Sequence, residues 1–169
     1  MNKIRFVLAV TLALSFVAPA VRAQESEAAQ SGDVALNALQ NAVRSNRKAV
    51  VAVNLGLTSE EATKFWPIYD RYQKEMNAIG DRLLAVIKDY SASFPDIQDD
   101  KALKLVDDYL SVETDRVAVR RAYLDDFTGC LPGRKVARFY QIENKLDAVQ
   151  RYELASRIPV VGESGTPPK

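Results

Sequence analysis

The sequence contains few of the residue types that catalysis usually requires. It has no histidine and a single cysteine, Cys130. Because histidine is the commonest general base and the commonest transition-metal ligand, its absence removes both roles. A hydroxyl or thiol nucleophile would need a carboxylate or a lysine as its base, and no spacing singles out such a pair. No glycine-rich phosphate loop is present either. We therefore predict no enzyme activity and no cofactor.

Paired carboxylates are the feature that comes nearest to a metal site. They occur at four places, Glu60-Glu61, Asp99-Asp100, Asp107-Asp108 and Asp125-Asp126. Carboxylates bind hard cations, but a di-metal site inside a helical bundle uses Glu-x-x-His pairs, which this chain cannot supply. The first two doublets also lie where helices are predicted to begin, and negative charge there is favourable against the helix dipole. We interpret the doublets as solvent-exposed and predict no metal site.

Basic residues form two clusters, near residues 44–48 and near residues 116–121. An acidic partner or lipid head groups would suit such clusters. The interpretation that we favour for most of these side chains is pairing with the acidic doublets and with helix ends. Arg44 and Arg47 are kept as candidate partner-binding residues.

The first 23 residues have the composition of a secretory signal peptide. Lys3 and Arg5 precede an uncharged run, residues 6–18, which is short for a bilayer span. Small residues then offer two cleavage points, at the ends of "APA" and "VRA", and the second would leave a mature chain that begins after Ala23 with Gln24. A retained membrane anchor is the alternative interpretation. We expect an exported protein that touches the membrane only through this segment, before cleavage.

The remaining chain is close to neutral and has the length of one domain. Removal of the signal peptide leaves 20 basic and 22 acidic residues, a net charge of −2. A nucleic-acid partner would require a concentrated basic stripe, so we predict none. We place a single helical domain at residues 33–161, between disordered segments at 24–32 and 162–169. Cys130 has no partner for an internal disulfide and is either a buried apolar residue or a link between subunits.

Apolar residues recur along this domain at alternating steps of three and four, which indicates helices packed along narrow seams. These steps and the stop signals between them predict four helices, at about residues 33–55, 58–90, 99–128 and 131–158. The β-branched run "AVVAV" in the first resembles a strand, but no partner strand exists, so we assign it to the helix. We predict an all-α fold of four antiparallel helices, two of them long, in an elongated or curved arrangement. Uncovered apolar surface would favour a homodimer.

The third and fourth predicted helices differ in the number of their apolar faces. The third has two stripes, one of Leu103, Val106, Leu110, Val117, Leu124 and Phe127, the other of Leu105, Tyr109, Val112, Val119 and Tyr123. Two apolar faces on one helix predict neighbours on both sides. The seam of the fourth is predicted to run through Val136, Phe139, Ile142, Leu146 and Val149.

The second predicted helix begins with a cluster of aromatic residues. Phe65, Tyr69 and Tyr72 fall on one face at about 100° per residue, so we assign them to a packed seam. Pro67 lies near the opposite side, where it is expected to bend the helix over its apolar face. Trp66 lies at the edge of the seam and Leu84 lies further along the same edge. We predict that this edge contacts a partner.

The start of this helix carries a recognisable motif. Thr58 and Glu61 have the spacing of a capping box, in which each side chain satisfies a free backbone N–H of the other residue. Leu57 and Thr58 also resemble the "LTxxQ" motif of the Spy/CpxP-like periplasmic proteins, with Glu61 at the place of the glutamine. In that family a second copy of the motif begins a later helix, and Leu131 and Pro132 occupy the equivalent place here.

This resemblance covers most of residues 55–154 in helix order and motif placement. It implies a periplasmic protein that forms curved helical dimers and acts as an ATP-independent chaperone or stress-signalling adaptor. The expected partner is a polypeptide client or an envelope protein. Relatives that bind metals are a poorer match, because this chain has neither histidine nor a cysteine cluster. The alternative is a structural or regulatory envelope protein that docks one specific partner through the edge of Trp66 and Leu84, without chaperone activity.

Overall fold

A computed structural model of the protein describes Val34, Asn41 and residues 45–161. The chain divides into two compact units, residues 1–35 and 36–169, and the helices described here belong to the second. The predicted signal peptide with both of its cleavage points, the two predicted end segments and the candidate residue Arg44 lie outside the described residues.

Every regular element in the described residues is a helix. The helix α1 is described over residues 45–55, and it is followed by α2 (Ser59–Ser93), α3 (Asp99–Ala122), α4 (Leu124–Cys130) and α5 (Gly133–Ala155). The predicted all-α class is confirmed for this part of the chain. The run "AVVAV", residues 49–53, is helical as predicted.

Local signals mark the boundary between α1 and α2. Gly56 follows the last residue of α1 with φ of 62°, in the left-handed region that favours glycine after a helix. Two residues later, the Thr58 hydroxyl accepts a bond of 3.2 Å from the Glu61 N–H, and the Glu61 carboxylate accepts one of 2.8 Å from the Thr58 N–H. The predicted capping box is therefore present.

The apolar seam of α2 runs through the centre of the core. Its buried residues are Phe65, Tyr69, Tyr72, Met76, Ile79, Leu83 and Ile87. The predicted seam residues Phe65, Tyr69 and Tyr72 are confirmed as buried, and beyond Leu83 the next buried residue is Ile87, whereas Val86 is only half-buried. An α-helix has about 3.6 residues per turn, so a stripe with strict steps of three and four drifts off the buried face along a helix of this length.

Aromatic rings join α2, α4 and α5. The ring centres of Phe127 and Phe139 are 4.6 Å apart, and that of Phe65 lies 5.5 Å from Phe127 and 5.4 Å from Phe139. All three side chains are fully buried. Pairs with tilted or edge-on rings at these distances stabilise a core beyond the burial of their apolar area.

The third predicted helix, residues 99–128, is two helices in the structure. The chain turns at Tyr123, whose hydroxyl donates a bond of 2.6 Å to Glu75 and whose ring centre lies 5.5 Å from that of Tyr72. The apolar periodicity of the third predicted helix does not predict these contacts with α2. Backbone bonds of the i to i−4 type still span the turn, from the N–H groups of Tyr123 and Phe127, so the buried face continues from α3 into α4.

Only one of the two apolar stripes of α3 is covered within the described residues. Leu105 and Val112 are buried, together with Tyr123 at the following turn, although Tyr109 of the same stripe is 42% exposed. The other stripe is open to solvent as far as Leu124, with exposed fractions of 70% at Leu103, 54% at Val106, 55% at Leu110, 63% at Val117 and 40% at Leu124, and only its last member, Phe127, is buried. A neighbour on the second face, as predicted, would have to come from outside these residues.

Candidate functional site

An apolar cavity of about 370 Å³ lies between the second half of α2, the first half of α3 and the end of α5. Its lining is aliphatic and aromatic apart from two charged residues. The residues that line it are Leu83, Val86, Ile87, Tyr90, Ile97, Ala102, Leu105, Val106, Tyr109, Glu113, Arg151, Leu154, Ala155, Ile158 and Val161. Ligand sites in proteins are typically concave, largely apolar and roughly 300–1,000 Å³ in volume. This cavity falls within that class, and we call it the α2–α3 cavity.

The walls of the α2–α3 cavity follow from the helix patterns. The drift of the α2 seam leaves Val86 beside Ile87, so both face the cavity. The chain after α5 closes the far side, because the Tyr90 hydroxyl donates a bond of 2.6 Å to the Pro159 carbonyl. This bond holds Ile158 and Val161 against α2, where both line the cavity.

One ion pair borders the α2–α3 cavity. Arg151 of α5 donates a bond of 2.5 Å to Glu113 of α3, and the Arg116 guanidinium lies 3.6 Å from the same carboxylate. The Arg151 side chain is 43% exposed and that of Glu113 is 25% exposed. The pair therefore places one charge of each sign where the apolar lining meets solvent.

Apolar surface continues out of the cavity along α3. Val106 lines the cavity and is also 54% exposed, while Leu103 and Leu110 lie on the same exposed stripe, three and four residues away. Residues at these spacings lie on one face of a helix. The cavity and the stripe together offer a partner an apolar surface that is partly concave.

The predicted partner edge of Trp66 and Leu84 lies elsewhere. Trp66 is half-buried and packs against the core, with its ring centre 5.0 Å from that of Phe65 and 5.4 Å from that of Tyr69. The Lys48 ammonium lies 5.2 Å from the indole centre. Leu84 is half-buried too, and neither residue lines the α2–α3 cavity. Partner contact through this edge stays a prediction.

The candidate Arg47 lies inside the protein. It is 7% exposed, and its guanidinium donates bonds of 2.7 Å to Glu143 and 2.6 Å to Asp147, two residues of α5 that are also buried. Gln73 donates a further bond of 3.1 Å to Glu143, and Arg120 bonds to Asp147. In this arrangement the charge of Arg47 is neutralised within the chain.

This buried ion network was not predicted. The fourth helix was expected to continue its seam from Phe139 through Ile142 and Leu146, but the buried residues after Phe139 are Glu143 and Asp147. A signal was present in the sequence, because residues 136, 139, 143 and 147 have helical spacing. It was missed because carboxylates are rarely buried without a partner, and their partner lies about a hundred residues away in α1.

Burial raises the pKa values of Glu143 and of two tyrosines near it. It raises the pKa of the Glu143 carboxyl above its usual value of 4.5, although Arg47 acts in the opposite direction. One oxygen, Oε1, has no hydrogen-bond partner among the described residues. Burial and the nearby Glu143 likewise raise the pKa values of the Tyr69 and Tyr72 hydroxyls. At neutral pH both tyrosines are therefore neutral.

The two helix-start motifs meet in space. Lys135, three residues after Pro132, donates bonds of 2.5 Å to the Glu61 carboxylate and 2.9 Å to the Gly56 carbonyl. The bond from Lys135 lowers the pKa of Glu61, and the bond from the Thr58 backbone acts in the same direction. Pro132 is the N-cap of α5. Leu131 is buried and Leu57 is half-buried against the core.

Further features complete the site description. Cys130 is a free, half-buried thiol, and burial raises its pKa. Within the described residues, no cluster of three or more metal-ligating side chains occurs. None of the helices described is long and apolar enough to cross a bilayer.

Comparison with known proteins adds no relative. The chain matches no protein-family model, no curated protein and no solved structure.

Proposed function

We propose that this protein is an exported helical binding protein that holds apolar segments of polypeptide partners, without ATP, a cofactor or enzyme activity. Its place would be the periplasm, and its role that of a chaperone or stress adaptor of Spy/CpxP type. The observation that carries this proposal is the α2–α3 cavity with the exposed apolar stripe beside it. Helix order and the paired helix-start motifs give it further support.

The α2–α3 cavity suits apolar side chains of a polypeptide better than a polar substrate. Its only charged lining residues, Glu113 and Arg151, already pair with each other at 2.5 Å. The stripe through Leu103, Val106 and Leu110 has the spacing with which helices receive the apolar anchors of a partner. A client would therefore place an anchor in the cavity and lay further apolar residues along α3.

We also propose an antiparallel helix arrangement and a homodimer. The support for a dimer is the second half of the exposed stripe, at Val117 and Leu124, which lies beyond the cavity. Exposed apolar residues at heptad-like spacing are typical of helices that pair with a second copy. Sedimentation equilibrium of residues 24–169 should then give twice the chain mass, and Val117→Asp should shift the equilibrium toward the monomer.

Aggregation assays test the binding function. The mature protein should slow the aggregation of several unrelated unfolded clients at near-equimolar ratio. The variant Val106→Asp should need about tenfold more protein for the same protection, because burial of a valine side chain contributes roughly 1.5–3 kcal/mol. The matched control is Val117→Asp, a change of the same kind on the same stripe, eleven residues after Val106 and outside the cavity lining. It should protect clients as the unmodified protein does when both are compared per folded chain.

Two results would contradict this proposal. Absence of protection for every client would exclude the chaperone role, and equal loss from the Val117 and Val106 variants would exclude the α2–α3 cavity as the site. Crosslinking in intact cells separates the chaperone from the alternative. Many unrelated captured partners would favour a chaperone, and one dominant partner, lost in Trp66→Ala, would favour a dedicated docking protein.

A further inference from the structure

A second cavity lies on another part of the protein, between α1 and α5. It has a volume of about 490 Å³ and is lined by Val50, Asn54, Arg138, Gln141, Ile142, Lys145, Leu146 and Val149. We call it the α1–α5 groove. It contains two cations, two amide side chains and four aliphatic side chains, and no acidic residue.

The two cations of the groove are available to a ligand. Arg138 and Lys145 form no ion pair with any described residue, whereas most other basic side chains of the described helices do. The reason lies in the burial of the α5 acids, since Glu143 and Asp147 face the interior and pair with Arg47. Residues 45–55 of α1 contain no acidic residue either. The groove therefore favours an anionic ligand.

The lining of the α1–α5 groove changes character along its length. Asp147 bonds to Arg47 and Lys135 bonds to the Gly56 carbonyl, so the sequences of α1 and α5 run past each other in opposite order. Asn54 therefore falls toward the end that holds Arg138 and Gln141, and Val50 falls toward Ile142 and Leu146. Beyond Lys145 the lining is aliphatic only, with Leu146 and Val149. From Arg138 to Lys145 the α5 side of the groove carries both cations and Gln141, with Ile142 among them, and the end beyond Lys145 is apolar.

We propose that the α1–α5 groove binds a single-chain anionic amphiphile, a molecule with one carboxylate or phosphate head and one acyl chain. The head would bind Arg138 and Lys145, with Gln141 between them on the same helix face. The chain would lie over Ile142, Leu146, Val149 and Val50. A volume of about 490 Å³ lies in the range of small-molecule sites, roughly 300–1,000 Å³.

The arrangement favours this ligand over two other anionic partners. An acidic amphipathic helix would be matched by cations along both edges of the groove, whereas here both cations lie on α5, α1 contributes only Val50 and Asn54, and the end beyond Lys145 is apolar. A bilayer surface would be matched by a convex or flat face with cations around it. A recess between two helices holds one molecule instead.

Calorimetry with palmitate below its micellar concentration tests the proposal. Palmitate should bind one per chain, and its uncharged analogue hexadecanol should bind at least about tenfold more weakly, because the charged contacts would be lost. Arg138→Gln should weaken palmitate binding by about tenfold. Val149→Asn, a change at a residue that is 64% exposed and so tolerated by the fold, should weaken it too.

Matched controls locate the binding site. Arg134→Gln removes the same charge one turn before Arg138, outside the groove lining, and should change the affinity by less than about twofold. Val106→Asp alters the α2–α3 cavity and should leave palmitate binding unchanged, so the test is independent of the proposed polypeptide function.

Each of the following results would overturn the proposal. Equal weakening by the Arg134 and Arg138 variants would indicate a general charge effect. Loss of binding in the Val106 variant alone would place the acyl chain in the other cavity. Binding to anionic vesicles without binding to monomeric palmitate would indicate a membrane surface. Tighter, Arg138-dependent binding of an acidic amphipathic peptide would indicate a protein partner.

Discussion

Replacement of Arg47 by methionine tests the buried ion network most directly. The change keeps the apolar stem of the side chain and removes the two bonds, of 2.7 and 2.6 Å, that its guanidinium donates to Glu143 and Asp147. Asp147 keeps its contacts with Arg116 and Arg120. Glu143 is fully buried and would keep only the bond from Gln73.

The expected cost follows from the burial of both partners. Loss of one member of a buried ion pair leaves an uncompensated charge and typically destabilises a protein by about 3–5 kcal/mol. A domain of this size usually has a free energy of unfolding of only about 5–15 kcal/mol. We therefore expect Arg47→Met to lose a large fraction of its stability at pH 7, without a change of helix content at low temperature.

The loss should depend on pH with a definite sign. In the native protein burial already raises the pKa of Glu143 above 4.5, and Arg47 opposes that rise. Removal of Arg47 must raise this pKa further. A carboxyl group with a raised native pKa contributes its stability below the unfolded-state pKa and loses it as the pH rises through the native pKa. The deficit of the variant should therefore be largest at pH 7–8 and smaller near pH 5.

Urea unfolding at several pH values between 5 and 8 measures this deficit. The double variant Arg47→Met/Glu143→Gln removes the titrating group, so its deficit should be smaller at pH 7 and nearly independent of pH. Lys48→Met is the matched control, because Lys48 pairs with Asp70 at the surface, where both side chains are more than half exposed, and exposed pairs contribute about 0–1 kcal/mol. A deficit for Arg47→Met below about 1 kcal/mol, or one that does not change with pH, would refute the reasoning.

Other predictions concern the core, the cap and the junction of the helix-start motifs. Phe139→Ala should destabilise the protein by about 3–5 kcal/mol in urea unfolding, because it opens a cavity beside the fully buried rings of Phe65 and Phe127. Thr58→Ala should cost about 1 kcal/mol through loss of the N-cap, and Thr58→Ser should restore most of it. Because the pKa of Glu61 is lowered in the folded protein, its ion pair with Lys135 stabilises the fold above pH 4.5. This stabilisation is lost as the pH falls through the native pKa of Glu61. Lys135→Ala should therefore reduce the acid sensitivity of stability between pH 3 and 5, and an unchanged profile would argue against the pair.

Periodicity predicted the fold where local pattern and packing agree. The α2 seam from Phe65 to Leu83 needs only the helical repeat, and the capping box of Thr58 and Glu61 needs only residues three apart. The errors arise where distant contacts decide. At the turn, Tyr123 contacts Glu75 and Tyr72 in another helix, and no pattern within residues 99–128 contains that information.

The sites were harder to predict than the helices, because a cavity is a property of several elements together. Leu105 and Val106 belong to different predicted stripes of one helix, yet both line the α2–α3 cavity. Periodicity assigns a residue to one face, whereas a cavity between three helices draws on residues at the borders of faces. The cavity needs the crossing of α2, α3 and α5, which follows only from the tertiary packing.

The net charge of the chain does not predict where its charged side chains lie in the folded protein. A near-neutral composition suggests a surface with no preference for anions or cations. In α5, however, Glu143 and Asp147 turn inward to Arg47, whereas Arg138 and Lys145 remain outside without a carboxylate partner in the described residues. The same inward turn displaces Ile142, Leu146 and Val149 to the groove, where they lie beside these cations. Burial of Glu143 and Asp147 thus accounts for both the positive charge and the apolar lining on which the proposed amphiphile site depends.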